Sequence, residues 1–92
     1  MKYRSRTDIA SHMLEAANGG ATKTKIMYAA YLSYAQLKEY LAVLAANGLL
    51  DFDKNTQTYR TTERGHRFLQ SFERLDEMMV TEEDQPRRAR RQ

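Results

Sequence analysis

The sequence predicts a mainly α fold with one small β-hairpin, in the order helix, helix, helix, hairpin, helix. Three observations predict it. Serine or threonine stands at the head of each apolar helical pattern, at Ser5, Thr22, Ser33 and Thr62, where a side-chain oxygen can accept an orphan amide. Asn18-Gly19-Gly20 and Asn47-Gly48 close the first and third patterns, because glycine tolerates the left-handed conformation at a helix end. Between the third and fourth patterns, two short β-favouring runs flank the turn-like Asp53-Lys54-Asn55-Thr56.

The first helix follows Ser5-Arg6-Thr7-Asp8, which reads as a capping box. Ile9, Ala10, Met13, Leu14 and Ala17 then fall on one helical face. Thr22 heads a short second helix over 23–30, with Ile26 and Met27 turned inward. Ser33 heads the third, over 34–47, with Leu37, Tyr40, Leu41 and Leu44 as its buried stripe. Leu49-Leu50-Asp51-Phe52 and Gln57-Thr58-Tyr59-Arg60-Thr61 suit the two strands. Thr62 heads the fourth helix, from Glu63 to about Val80. Its apolar seam is Phe68, Phe72, Leu75 and Met79. Gly65 lies near that seam at a cost in helix stability, which predicts close packing against another element. The expected organisation is one domain over 1–80 and a disordered charged tail over 81–92.

A chain of 92 residues holds one domain and one core. Its 41% hydrophobic and 29% charged residues fit a globular protein rather than a disordered one. No apolar run is long enough for a membrane span, and no signal peptide is indicated. Without cysteine, disulfides and thiolate metal sites are excluded, and a cytoplasmic location is expected. Charge is segregated. Residues 1–40 carry six Lys/Arg against three Asp/Glu, and 41–86 carry five against nine. Arg87, Arg88, Arg90 and Arg91 then close the chain. A basic front and a basic tail suit a polyanionic partner.

The second and third helices, joined near Tyr31-Leu32, form a helix-turn-helix arrangement. The second member of such a pair can enter a DNA major groove. Lys23 and Lys25 lie in the first turn of a helix, where the dipole disfavours cations; a phosphate relieves that tension, or the lysines are simply solvated. The hairpin would be a wing, offering Lys54 and Asn55 at its tip and Arg60 on its second strand. Tyr28, Tyr31, Tyr34 and Tyr40 cluster around the two helices, and aromatics at this spacing are expected in the core. Tyr34 is the one expected to face DNA, where its hydroxyl can reach a phosphate.

Several segments resemble an archaeal winged-helix family, the ArnR-like group that includes small dimeric chromatin-type DNA-binding proteins of Sulfolobus. They are Lys23-Thr24-Lys25-Ile26-Met27-Tyr28, Leu32-Ser33-Tyr34, Tyr40-Leu41, Gly48-Leu49 and Thr62-Glu63-Arg64-Gly65. The resemblance spans about residues 4–72. It implies a winged helix-turn-helix with the third helix in the major groove, a wing beside it, and dimerisation through the last helix. Carried over by position, it makes Ser33, Tyr34, Gln36 and Lys38 the DNA-facing residues, with Lys23 and Lys25 in support. Gln36 and Lys38 are the expected base readers, since glutamine pairs with adenine and lysine with guanine. A homodimer would form through Phe68, Phe72, Leu75 and Met79. The seam covers only about two heptads before Glu82-Glu83-Asp84, shorter than the long coiled coil of chromatin-type members.

No catalytic constellation accompanies these features. His12 and His66 stand on different helices without metal-ligand spacing, and are expected at the surface. Glu82-Glu83-Asp84 reads as a solvated charge run. No phosphate loop or nucleophile elbow is present. The expectation is a nucleoid-associated DNA-binding protein, regulator or chromatin factor, with no enzymatic activity, cofactor or metal. The alternative is a winged-helix protein-interaction module, which the acidic second half and Glu39 would suit.

Overall fold

A computed structural model describes residues 5–78. Met79, the expected tail over 81–92 and its four arginines lie outside the described residues. The elements run α1 (Arg6–Ala16), α2 (Lys23–Ala29), α3 (Tyr34–Ala46), β1 (Leu50–Asp53), β2 (Thr58–Thr61) and α4 (Glu63–Met78). This is the expected order.

Each helix begins where its cap predicts. Ser5 Oγ accepts the Asp8 amide, Thr22 Oγ1 that of Lys25, Ser33 Oγ that of Gln36 and Thr62 Oγ1 that of Gly65. The boundaries move by about a residue, for identifiable reasons. Leu49 was expected in the first strand, but its amide donates back to the Leu44 carbonyl and that of Gly48 to Ala45. Together these bonds close α3 with a left-handed turn at Gly48, φ +75°. Gln57, expected in the second strand, takes φ +56° and belongs to the turn.

The core lies between α1, α2, α3 and the base of the hairpin. Met13 and Leu14 of α1, Ile26 of α2, Leu37 of α3 and Leu50 of β1 are its largest fully buried side chains. Leu41 and Leu44 extend it, and Phe68 and Leu69 of α4 pack against its edge. Both inward faces read from the spacing, on α1 and on α3, are therefore the buried ones.

The strands pair antiparallel, with Leu50 opposite Thr61 and Phe52 opposite Tyr59. The hairpin is fastened to the end of α1 and to the segment that joins it to α2. Ala21 and Tyr59 exchange backbone hydrogen bonds of 2.9 and 2.8 Å. Buried Thr61 donates its hydroxyl to the Leu14 carbonyl at 2.6 Å, and its amide donates to Ala17. The hydroxyl satisfies the Leu14 carbonyl at the end of α1, and the Ala17 carbonyl accepts the Thr61 amide beside that of Gly20. Gly65 packs as its position implied. A Cβ there would sit 2.5 Å from the Leu49 carbonyl oxygen and 2.6 Å from the Thr61 methyl.

Candidate nucleic-acid interface

The segment from Lys23 to Lys38 is built so that α3 presents its N-terminal end outward. At the end of α2 the Leu32 amide donates to the Met27 carbonyl and the Tyr31 amide to that of Tyr28. This is the hydrogen-bond pattern that usually carries a left-handed glycine. Here Tyr31 occupies it, at φ +56°. The turn leads directly to Ser33, which caps α3.

Two of the expected DNA-facing residues, Ser33 and Gln36, are partly engaged in that cap. Ser33 Oγ accepts from the Gln36 amide at 3.2 Å, and Gln36 Oε1 accepts from the Ser33 amide at 2.9 Å. The box is complete in both directions. A bidentate contact to adenine needs both ends of the glutamine amide. With its oxygen turned back to the cap, Gln36 is poorly placed to offer both ends of its amide to one base.

Three expected residues do come together. Lys23 Nζ lies 5.7 Å from the Tyr34 ring centroid and Lys38 Nζ lies 5.6 Å from it. The ring carries both ammonium groups by cation–π attraction. Lys25 is exposed on the same short helix as Lys23. No carboxylate occurs between Glu15 and Glu39, so this charge is not balanced along the segment. The other exposed residues along α3 are Ala35, Glu39, Ala42, Val43, Ala45 and Ala46.

The wing is differently made. Asp53 Oδ1 accepts the Asn55 amide, and Gln57 Nε2 donates to the Lys54 carbonyl, fixing the tip. Lys54 is exposed there. Arg60 is exposed on β2 but stands opposite Asp51 in register. Asp51 and Asp53 line one shallow hollow with Lys54 and Arg60, so the wing's charge is balanced locally. Lys23 reaches the other side of the hairpin, where it lines a groove with Phe52, Gln57 and Tyr59. It thus connects the wing with the start of α3.

The tyrosines depart from expectation. Tyr40 is half-buried, but Tyr28 and Tyr31 are 70% and 83% exposed, beside Tyr34 at 54%. On α2 the inward face belongs to Ile26 and Ala30, which leaves Tyr28 turned outward; Tyr31 sits in the turn itself. The reading by helical spacing assigned these two to the core. The usable signal was the three-residue interval Tyr28, Tyr31, Tyr34, which does not follow the Ile26–Ala30 face.

On α4, Phe68 and Phe72 are half-buried, while Leu75 is 58% and Met78 74% exposed. The seam therefore runs off the domain. Among the described residues no His, Cys, Asp or Glu group could hold a metal ion, and no helix is long and apolar enough to cross a membrane.

A capped helix-turn-helix followed by a hairpin strapped to its base defines the winged helix-turn-helix class, and residues 3–80 match that family. The chain belongs to the winged helix-turn-helix family. It is 32% identical over 77 residues to an uncharacterized protein of Methanocaldococcus jannaschii, covering 83% of this chain and 77% of that protein. Its fold is similar to that of Sso10a-2, a DNA-binding protein from Sulfolobus solfataricus. That match has a TM-score of 0.68 at 20% identity, covering 85% of this chain and 99% of the other. Both similar proteins are archaeal, in line with the archaeal winged-helix resemblance.

Proposed function

We propose that this chain is a DNA-binding protein of the nucleoid, without enzymatic activity, that lays the N-terminal end of α3 on duplex DNA. The observation that carries this reading is the Lys23–Tyr34–Lys38 cluster, an exposed set of cations at the tip of α3 in a stretch free of carboxylates. Sso10a-2, described as a DNA-binding protein, supports it as a fold analogy. Lysines at this tip act mainly through phosphates. Gln36 is half-engaged, and the exposed length of α3 offers small side chains and Glu39. Such a surface favours modest sequence discrimination and a chromatin-associated role over a selective repressor.

Fluorescence anisotropy on random duplex DNA at two salt concentrations tests the proposal. Binding should weaken steeply with salt, and a Lys23→Ala/Lys38→Ala variant should lower the log–log slope by about 0.9 for each phosphate that is no longer neutralised. Absence of binding at low salt would overturn the proposal in favour of a protein-docking module.

A homodimer through the α4 seam of Phe68, Phe72, Leu75 and Met79 accompanies this reading, supported by the exposure of the apolar Leu75. Sedimentation should give twice the chain mass, falling to monomer in Leu75→Glu. A wild-type monomer at high concentration would refute dimerisation.

A further inference from the structure

Tyr28, Tyr31 and Tyr34 put three exposed aromatic rings within seven residues. Phosphate contact to a duplex uses a tyrosine's hydroxyl and leaves its ring face unused. A duplex also keeps its base faces stacked inside. Tyr31 makes the point sharpest. It holds a left-handed backbone that glycine would adopt without strain, yet it presents a large ring to solvent. A strained, exposed aromatic points to a role at the surface. Lys23 and Lys38 lie over the Tyr34 ring and Lys25 is exposed on α2, with no carboxylate from residue 16 to residue 38. Exposed rings interleaved with cations are the requirements for holding a single strand, with bases stacked on aromatics and backbone drawn by charge.

We infer that the exposed rings of Tyr28 and Tyr31, next to the Tyr34 ring that holds the two ammonium groups, are a stacking platform for unpaired bases of single-stranded DNA. It shares Lys23, Lys38 and Tyr34 with the duplex reading but goes beyond it and stands without it. Each ring in use strengthens binding about five-fold or more. Because every base has a stacking face, the platform tolerates any sequence.

The test uses the whole chain, labelled oligo-dT, and a duplex of equal length. Tyrosine emission is a direct probe, since the chain has six tyrosines and no tryptophan. Oligo-dT should bind and quench that emission. A Tyr28→Ala/Tyr31→Gly variant should lose at least about 25-fold on oligo-dT while its duplex affinity changes little. Tyr28 is on an exposed helix face and glycine suits the Tyr31 backbone, and an unchanged far-UV circular dichroism spectrum and urea midpoint of the variant check that the fold is kept. Unquenched emission at saturation, unchanged oligo-dT affinity in the variant, or equal losses on both DNAs would overturn the platform. Tighter binding of oligo-U than of oligo-dT would reject DNA as its occupant. Oligo-dT binding without duplex binding would remove the duplex reading and leave the platform standing.

Discussion

Leu41→Ala is expected to destabilise the domain by about 2–5 kcal/mol. Leu41 lies in the middle of the α3 stripe, between Leu37 and Leu44, and is only 6% exposed. Truncation removes most of its apolar area and leaves a cavity whose walls are held by neighbouring helices. A domain of this size has roughly 5–15 kcal/mol in total, so a large share is lost. Urea unfolding should show a lower midpoint with an unchanged slope. The result bears on function because this stripe decides which side of α3 faces out. A wild-type midpoint would rotate the inward face away from Leu37, Leu41 and Leu44, and the assignment of Tyr34 and Lys38 would go with it.

Gly65→Ala is expected to destabilise although alanine is the better helix former. On propensity alone the change should stabilise by about 1 kcal/mol. Sterics decide the other way. The new Cβ meets the Leu49 carbonyl oxygen at 2.5 Å and the Thr61 methyl at 2.6 Å. Neither can yield easily. The Leu49 oxygen accepts the Thr62 amide, and the Thr61 side chain is fixed by its hydrogen bond to Leu14. Overpacking of this kind typically costs about 1–3 kcal/mol. The melting temperature should fall by roughly 4–8 °C for each kcal/mol of stability removed. A rise would mean that α4 stands off the hairpin.

Much of this was legible because the signals are local. A hydroxyl three residues ahead of an amide is enough to place each helix start, and Ser5, Thr22, Ser33 and Thr62 all did so. The apolar spacing of α1 and α3 gave their inward faces for the same reason. Gly65 was informative because it breaks the propensity rule, and only close packing explains that. What escaped the sequence was non-local or disguised. Nothing around Ala21 announces that it pairs with Tyr59, a partner far along the chain. Tyr31 takes a glycine's backbone without being glycine, so the end of α2 looked unmarked and its ring was assigned inward. Gln36 satisfied two patterns at once, base reader and capping partner. The Ser33-x-x-Gln36 spacing is the capping-box signature, and it was the usable signal that the cap would hold the glutamine oxygen.

The exchange of hydrogen bonds between Ala21 and Tyr59 also decides where the chain can change length. The short passage from Gly19 to Thr22 must deliver Ala21 opposite a fixed partner, so an insertion there would misplace α2 and the helix it leads into. The tip from Lys54 to Gln57 hangs beyond the paired base, and its hydrogen bonds reach no farther than Asp53 and Thr58 at the ends of the two strands. Extra residues there would lengthen the wing and leave its root in place. In this architecture the span of contact is set at the hairpin tip, while the angle between hairpin and helices is set at its root.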